Sequence, residues 1–279
     1  MNALHIVVLA LVQGIAELLP VSSSAHVILA EKLMGLDPTA PDMTLLLVML
    51  HLGTMFAVIV YFWRSWRETY FASGSAFRAH GRQVALATVV TGVVGLVLLQ
   101  AIKHLFATNT AGFEIEQLFG NTNLIAAGLG CAGLLILVSS RVAETSNGEL
   151  SSRRAAGIGA VQGLCLPFRG FSRSGATISS GLLLGVSRRR AEEFSFALAV
   201  VLTPAVVAKE GYRFLQAHAG VENAQPLWHL LGPSLAGMCL SFLAGLAALR
   251  WLSRWLEQGR WHYFGFYCLG ASALVWFNG

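Results

Sequence analysis

The feature that most constrains the fold of this chain is a series of long apolar runs separated by short polar segments. Each run is close to the roughly 20 residues that a helix needs to cross the hydrocarbon core of a bilayer. A chain in lipid must satisfy its backbone hydrogen bonds internally, which favours helices. The pattern predicts an all-α integral membrane protein with six spanning helices, at 44–63, 83–103, 123–141, 193–213, 227–250 and 261–278.

The composition supports lipid as the main solvent. Of the 279 residues, 55% are hydrophobic and 12% are charged, whereas soluble domains carry about 25% charged residues. The net charge of +5 comes from short arginine clusters between apolar runs, which is typical of the cytoplasmic loops of membrane proteins. We therefore expect a membrane protein and no nucleic-acid partner.

Two further apolar segments are interrupted by a proline followed by serines. The segment 4–33 is broken at 19–24, and the segment 155–187 is broken at 166–175. Proline ends a helix because it lacks a backbone donor and clashes with the preceding turn, and serine caps the next helix. Each half is too short to span a bilayer alone. Both segments are therefore predicted to be re-entrant helical hairpins.

The distribution of arginines predicts the orientation of the helices. Arginines concentrate in four connections between apolar runs, at 64–82, 141–154, 188–190 and 250–260. The other three connections, at 31–43, 104–122 and 214–226, contain mainly acidic residues among their charged positions. Arginine-rich connections face the cytoplasm, and this assignment suits all six predicted spans. The first hairpin then enters the membrane from outside, and the second enters from the cytoplasm.

The two halves of the chain resemble each other. Gln13-Gly14-Ile15 before Leu19-Pro20 is matched by Gln162-Gly163-Leu164 before Leu166-Pro167. Each motif is followed by a serine-rich turn and three predicted spans, and three crossings reverse the orientation of the second half. We predict a single membrane domain, 1–279, with inverted repeats of approximately 1–141 and 155–279. Such repeats place broken helices near the midplane, where binding sites lie.

The first break contains groups suited to catalysis. Glu17 lies four residues after Gln13, so both side chains share one helix face. An ionisable group at membrane depth is costly and by default has a function; the alternative is a glutamate that reaches the interface. The second arm begins with Ser22, Ser23 and Ser24 and has His26 in its first turn. This set contains a candidate base or metal ligand, a nucleophile and a proton donor.

The second break contains a cation. Arg173 lies between Ser172 and Ser174, and Gly175-Ala176-Thr177 follows at a predicted helix start. Arginine suits bidentate contact with phosphate, and the free amides of a helix N-terminus favour anions. The alternative is an arginine that only fixes topology. His51, inside a predicted span, is interpreted as a hydrogen-bonded packing residue.

Both breaks resemble the motifs of a known family. The segment 13–26, QGIAELLPVSSSAH, resembles the (Glu/Gln)-x-x-x-Glu and Pro-Val-Ser-Ser motifs of the undecaprenyl-diphosphate phosphatases, also called bacitracin-resistance proteins. The segment 170–179, GFSRSGATIS, resembles their Pro-Gly-x-Ser-Arg-Ser-Gly-Ala-Thr motif, and the segments 51–54 and 193–199 also match. The resemblance covers essentially the whole chain.

This resemblance implies an enzyme of the bacterial inner membrane that hydrolyses undecaprenyl diphosphate on the outer side. It implies recycling of the lipid carrier for peptidoglycan synthesis and resistance to bacitracin. Carried over by position, the catalytic residues are Glu17, Ser23, His26 and Arg173, and the substrate-binding residues are Gln13, Ser22, Ser24, Ser172, Ser174 and Thr177. A divalent metal, Mg²⁺ or Ca²⁺, is implied with Glu17 and Gln13 as ligands.

Two departures from the family pattern bear on this site. Gln13 stands where many members have glutamate, which removes one potential metal ligand. The stretch 167–170, PFRG, replaces a simple Pro-Gly and is longer and more basic. The second departure bears on the geometry of the second loop and on the substrate preference, and it leaves the reaction class unchanged.

The predicted reaction places the diphosphate between the two hairpins, with the prenyl tail along apolar helix surfaces. Arg173 neutralises phosphate charge, Ser23 or a water attacks the terminal phosphorus, and Glu17 or His26 takes the proton. One alternative is a transporter or flippase for a phosphorylated polyprenyl lipid, which the inverted repeat favours. Another is an ion-coupled carrier or channel with Glu17 as a proton relay. The prenyl chain length and the oligomeric state stay open, and a homodimer is one of the states left open.

Overall fold

The computed structural model describes residues 2–37, 41–107, 121–143, 148–219 and 227–278. Within these ranges the chain forms ten helices and no strand. They are α1 (Ala3–Leu18), α2 (Ser23–Leu33), α3 (Pro41–Thr69), α4 (Gly74–Ala107), α5 (Thr122–Ser140), α6 (Ser152–Cys165), α7 (Arg173–Leu183), α8 (Arg188–Ala219), α9 (Leu227–Glu257) and α10 (His262–Asn278). The predicted all-α class is confirmed.

Five of these helices are long and apolar enough to cross a membrane, namely α3, α4, α5, α8 and α9. They correspond to five of the six predicted spans. The sixth prediction falls on α10, whose 17 residues lie at the lower end of the roughly 17–25 residues that a spanning helix uses. The chain is therefore a multi-pass membrane protein with five candidate spans among the described residues.

The helices extend beyond the predicted apolar runs at their arginine-rich ends. α3 continues to Thr69 and α4 begins at Gly74. The sequence pattern predicts a loop at Arg64 and Arg67, and this prediction is wrong: both residues lie in the last turns of α3. Positive side chains are stabilised at a helix C-terminus by the helix dipole, so the helix does not have to end where the apolar run ends.

Both predicted breaks are present. Residues 19–22 separate α1 from α2, and residues 166–172 separate α6 from α7. The two arms of each pair pack against one another. Each turn contains one residue with positive φ, Ser22 at +68° and Gly170 at +97°. This left-handed conformation allows the chain to reverse within a few residues.

The contacts divide the chain into two compact units. Unit 1 comprises Met1–Leu19, Ser23–Trp63 and Ala199–Leu252, and unit 2 comprises Pro20–Ser22, Arg64–Leu198 and Ser253–Gly279. Each unit takes segments from both halves of the chain. The arms of the first hairpin belong to unit 1, whereas its turn and the whole second hairpin belong to unit 2.

In unit 1, α1 and α3 pack closely on α9. A Cβ on Gly14 would lie 2.7 Å from the Ser241 carbonyl oxygen, and a Cβ on Gly53 would overlap the Met238 carbonyl oxygen. Ser241 Oγ also donates to the Leu50 carbonyl oxygen at 2.9 Å. Both glycines lie beside the residues that form the site, so this packing fixes the positions of those residues. The buried apolar core of the unit contains Ile6, Leu9, Ala10, Val27, Met43, Leu46 and Leu50.

In unit 2, α6 packs on α4 in a similar way. A Cβ on Gly159 would overlap the Ala87 carbonyl oxygen, and a Cβ on Gly163 would lie 2.9 Å from the Thr91 carbonyl oxygen. Thr91 Oγ1 donates to the Gly159 carbonyl oxygen at 2.8 Å. α5 packs against α10 in the same unit. The buried core beneath α6 contains Ala87, Ala155, Ile158, Phe194 and Leu198.

Candidate active site

The first hairpin brings three of the predicted site residues together. Glu17 Oε2 accepts a hydrogen bond from Ser23 Oγ at 2.6 Å and one from Gln13 Nε2 at 3.2 Å. Gln13 is buried, and the Glu17 side chain is 19% exposed. A serine hydroxyl that donates to a carboxylate is already oriented for transfer of its proton to that carboxylate.

The turn between α1 and α2 produces this contact. Proline at position 20 ends α1, and the positive φ of Ser22 directs the chain back so that Ser23 begins α2 beside Glu17. Ser22 is buried, and Ser24 and His26 lie half-buried in the first turn of α2. The six predicted residues of the first hairpin therefore lie on the end of α1, on the turn or on the start of α2.

A further residue at this carboxylate is His51 of α3. Its Nε2 lies 3.9 Å from Glu17 Oε2, and its Nδ1 lies 2.8 Å from the Leu47 carbonyl oxygen. The contact with Leu47 agrees with the interpretation of His51 as a hydrogen-bonded residue, but that interpretation does not include its approach to Glu17. The available signal was its place in the family-like segment 51–54, but that segment does not reveal which side chain His51 faces.

The second hairpin holds the other predicted residues at the start of α7. Ser172 is the N-cap, and its Oγ accepts a hydrogen bond from the Gly175 backbone amide at 3.2 Å. Arg173 is half-buried in the first turn, and Ser174 is buried beside Ser172. The α7 N-terminus therefore presents a guanidinium, backbone amides and hydroxyls in one turn, a combination suited to an oxyanion.

Thr177 connects this turn to α8. Its Oγ1 donates to the Arg173 carbonyl oxygen at 2.7 Å and forms a hydrogen bond of 2.6 Å with Ser195 Oγ. Both Thr177 and Ser195 are fully buried. Ser195 was not among the predicted site residues, although the segment 193–199 had matched the family. The two hydrogen bonds of Thr177 together connect the backbone of the first turn of α7 to Ser195 of α8.

The turn of the first hairpin lies in unit 2 together with the start of α7. A Cβ on Gly175 would lie 3.2 Å from Pro20 Cβ, and the Pro20 carbonyl oxygen accepts a hydrogen bond from Cys268 Sγ at 3.2 Å. Substitution of Gly175 therefore has little room. Pro20 and the first turn of α7 are therefore neighbours within unit 2.

Glu193, an acidic residue at the start of α8, makes contacts that hold helices together and does not join the residues described above. The buried Glu193 carboxylate pairs with Arg189 at 2.9 Å and with Arg190 at 3.1 Å, and it also accepts a hydrogen bond from Ser65. Burial, together with the Glu193 charge, raises the pKa of Tyr70 above its ordinary value. These contacts hold α3 and α8 together within unit 2.

The oxygen ligands available at Glu17 and Gln13 suit a divalent ion whose remaining ligands would come from the substrate phosphates. In the part of the chain that the structure describes, no three His, Cys, Asp or Glu residues come together as a metal site. Mg²⁺ does not require such a cage, because it commonly binds one or two carboxylates together with substrate phosphates. The Glu17 carboxylate and the Gln13 amide oxygen are ligands of the hard type that Mg²⁺ and Ca²⁺ prefer.

Known proteins resemble this chain over nearly its whole length. Residues 6–274 match the family described as bacitracin resistance protein BacA. The chain is 61% identical over 277 residues to undecaprenyl-diphosphatase 2 of Acinetobacter baylyi, covering 99% of this chain and 97% of that protein. It is 35% identical over 285 residues to undecaprenyl-diphosphatase 2 of Chromobacterium violaceum, covering 96% of each. It is 32% identical over 281 residues to the undecaprenyl-diphosphatase of Thermus thermophilus, covering 99% and 97%.

Proposed function

Because the chain belongs to the bacitracin resistance protein family, we propose that it hydrolyses undecaprenyl diphosphate to undecaprenyl phosphate and inorganic phosphate. Relatives named undecaprenyl-diphosphatase align over nearly its whole length. The observation that carries the proposal is the 2.6 Å hydrogen bond from Ser23 Oγ to Glu17 Oε2. It pairs a nucleophile with a base, which a reaction needs and a lipid carrier does not.

Ser23 is the nucleophile in this proposal. Its Oγ forms a bond to the terminal phosphorus, the bond from that phosphorus to the bridging oxygen breaks, and undecaprenyl phosphate leaves with the bonding electrons. Glu17 takes the Ser23 proton because its Oε2 already accepts the hydrogen bond. His26 donates a proton to the leaving phosphate from the first turn of α2.

Water completes the cycle. It attacks the phosphoserine and breaks the bond from phosphorus to Ser23 Oγ. His26 recovers a proton from the water, and Glu17 returns its proton to Ser23. The sum of both steps consumes one water and one diphosphate and restores all three side chains. A water attacking the diphosphate directly would use the same Glu17 as base.

The start of α7 binds phosphate oxygens in this proposal. Arg173 supplies a charged bidentate donor, and the amides of the first turn supply further donors. Ser172, Ser174 and Thr177 line this turn, as Ser22 and Ser24 line the other. Positioning and charge neutralisation account for most of the catalysis of phosphoryl transfer. A divalent ion held by Glu17 and Gln13 would supply additional neutralisation of the diphosphate.

We also propose the finer topology, with α10 as the sixth span and both helix pairs as re-entrant hairpins of an inverted repeat. The glycine contacts support the repeat. Gly14 packs α1 on α9, the fourth helix of the second half, and Gly163 packs α6 on α4, the fourth helix of the first half. α5 packs on α10, the fifth helix of each half. Such exchanged pairs are expected when two equivalent halves are related by a two-fold axis.

The cellular role follows from this reaction and topology. With arginine-rich ends in the cytoplasm, the first hairpin enters from the outer side, so the proposed site opens to the periplasmic face of the inner membrane. The product, undecaprenyl phosphate, is the lipid carrier for peptidoglycan synthesis. Resistance to bacitracin is expected from the description of the family.

The proposal is tested by phosphate release from undecaprenyl diphosphate by the purified protein in detergent, with magnesium and with a chelator. We expect Glu17→Gln to lower the rate by about 10²–10⁴-fold, the usual contribution of general base catalysis, and Arg173→Ala to lower it by at least about 10²-fold. Chelation should lower the parent rate. Glu68→Gln and Arg64→Ala are matched controls, because they form an exposed ion pair in the last turns of α3.

The controls should retain the parent rate. Binding of the lipid diphosphate by the parent without any phosphate release would contradict the phosphatase and favour a carrier. Release that is unaffected by Glu17→Gln would contradict the assignment of the base.

A further inference from the structure

Ser195 of α8 is linked by hydrogen bonds to the backbone of Arg173. Its Oγ forms a hydrogen bond of 2.6 Å with Thr177 Oγ1, and Thr177 Oγ1 donates to the Arg173 carbonyl oxygen at 2.7 Å. Thr177 and Ser195 are fully buried, and all three residues belong to unit 2. One hydroxyl therefore connects a side chain of α8 to the arginine that the proposed reaction uses.

The chemistry of the three groups fixes the direction of these hydrogen bonds. The carbonyl oxygens of Arg173 and Ser174, at 2.7 Å and 3.4 Å from Thr177 Oγ1, only accept. The single hydroxyl hydrogen of Thr177 is therefore directed to this backbone. The hydrogen between the two hydroxyls then comes from Ser195, which donates to Thr177 Oγ1.

The contact lies on a face along which α7 and α8 approach closely. A Cβ on Gly181 of α7 would lie 2.9 Å from Ala191 Cβ of α8. Gly181 follows Thr177 by four residues, and Ala191 precedes Ser195 by four. Both contacts therefore lie on one face of each helix, and this close approach allows a side chain as short as serine to reach Thr177.

Stability alone does not account for this hydrogen bond. A serine inside a helix commonly bonds to a carbonyl of its own preceding turn, as Ser180 does in α7, whereas the hydroxyl of Ser195 bonds across to α7. Two buried hydroxyls gain little over an apolar pair of the same shape, because their hydrogen bond replaces those made with water. Arg173 is the first residue of α7, and helix ends fray, so a bond to its carbonyl limits the positions of its side chain.

We propose that Ser195 is a positioning residue for the hydrolysis. Its hydroxyl donates to Thr177, Thr177 donates to the Arg173 carbonyl, and the two hydrogen bonds fix the backbone from which the guanidinium reaches the diphosphate. This inference rests on the proposed function. It gives the hydroxyl hydrogen of Thr177 to the Arg173 backbone.

Three substitutions test this link. Ser195→Ala removes the donor, and Ser195→Cys fills the space but leaves only a weak donor. Thr177→Val removes the hydroxyl through which Ser195 acts and keeps the shape of the side chain. Ser272→Ala is the matched control, because the Ser272 hydroxyl also bonds between two helices of unit 2, from α10 to the Ala126 carbonyl oxygen of α5.

The measurement is kcat/KM for phosphate release from undecaprenyl diphosphate, with the Tm of each purified variant, at a temperature below the lowest Tm. We expect Ser195→Ala and Ser195→Cys each to lower kcat/KM by about tenfold, since a misplacement of about 1 Å in a positioning group costs up to about 10²-fold. Added to Thr177→Val, either Ser195 substitution should change kcat/KM by less than about twofold, because residues that act through one contact are not additive. Ser272→Ala should equal the parent.

The double variants distinguish positioning from a general effect on packing. Equal losses from Ser195→Ala in the parent and in Thr177→Val would overturn the inference, because Ser195 would then act independently of Thr177. Parent-like kcat/KM in both Ser195 variants, or a loss in Ser272→Ala as large as theirs, would overturn it as well. If Ser195→Ala did not fold, Ser195→Cys carries the same comparison.

Failure of this inference differs from failure of the proposed function. Absence of phosphate release from the parent would refute the phosphatase before any variant is compared. Release by the parent with additive losses in the double variants would overturn only the role of Ser195.

Discussion

Ser22 has a backbone conformation that serine rarely adopts. Its φ is +68° and the residue is buried. The left-handed region costs a non-glycine residue about 1–2 kcal/mol. Such conformations persist where the surrounding structure imposes them and are frequent at functional sites. Here the conformation lies immediately before Ser23 and turns that residue toward Glu17, so the local cost is linked to the geometry of the site.

Substitution of Ser22 separates the backbone from the hydroxyl. We expect Ser22→Gly to be more stable than Ser22→Ala by about 1 kcal/mol, because glycine enters the left-handed region without a Cβ clash. The measurement is the Tm of both purified variants in detergent. If the hydroxyl binds phosphate as proposed, both variants should lose the same factor in phosphate release. Equal Tm values would contradict the strain at Ser22.

At the scale of helices, glycine contacts determine where the site residues lie. Gly14 and Gly53 allow α1 and α3 to approach the α9 backbone more closely than any side chain would permit. Gln13 precedes Gly14 directly, and His51 lies two residues before Gly53. The rotation and register of α1 and α3, and therefore the directions of their polar side chains, depend on these contacts in unit 1.

We expect Gly53→Ala to displace α3 from α9, because its Cβ would overlap the Met238 carbonyl oxygen and backbone cannot move aside as a flexible side chain can. Overpacking of this kind costs about 1–3 kcal/mol. Both Tm and kcat should fall. Gly232→Ala is the matched control, since a Cβ at this position of α9 has no neighbour within 4 Å. An unchanged Tm for Gly53→Ala would show that the close contact is not required.

At the scale of the whole molecule, the proposed orientation in the membrane rests on charge rather than on hydropathy. The five candidate spans are similar in hydropathy, so hydropathy does not indicate which ends face the cytoplasm. The exposed arginines at the end of α3 and the start of α4 are expected to indicate it, because positive residues prefer the cytoplasmic side. On the proposed orientation, Asp37 after α2 would lie on the opposite side of the membrane.

Labelling with a membrane-impermeant maleimide in intact cells tests this orientation. We expect Asp37→Cys, on the exposed connection after α2, to react in intact cells because it faces the periplasm. Ser73→Cys, on the exposed turn between α3 and α4, should react only after the inner membrane is permeabilised. The parent, with its four native cysteines inside helices, is the background control. The reverse labelling pattern would contradict the orientation.

Local chemistry made much of this protein predictable from the sequence. The apolar runs predict the all-α membrane class, because the length of an uncharged segment directly determines whether it can cross a bilayer. Pro20 and Pro167 predict both breaks because proline disfavours a continuing helix and serines that can cap the next helix follow each of them. Proline alone is not sufficient, since Pro204 and Pro233 lie inside α8 and α9. Glu17 and Ser23 are recognisable because an acid followed by a serine turn inside an apolar segment is rare.

Only the tertiary structure decided which distant side chains join these groups. His51 faces Glu17, and Ser195 bonds to Thr177, because of how α3 and α8 are rotated against their neighbours. The rotation of a helix depends on packing contacts such as that of Gly53 with α9, which involve residues far apart in the chain. A single sequence specifies the residues on a helix face, but the partner of that face is set by packing across the fold.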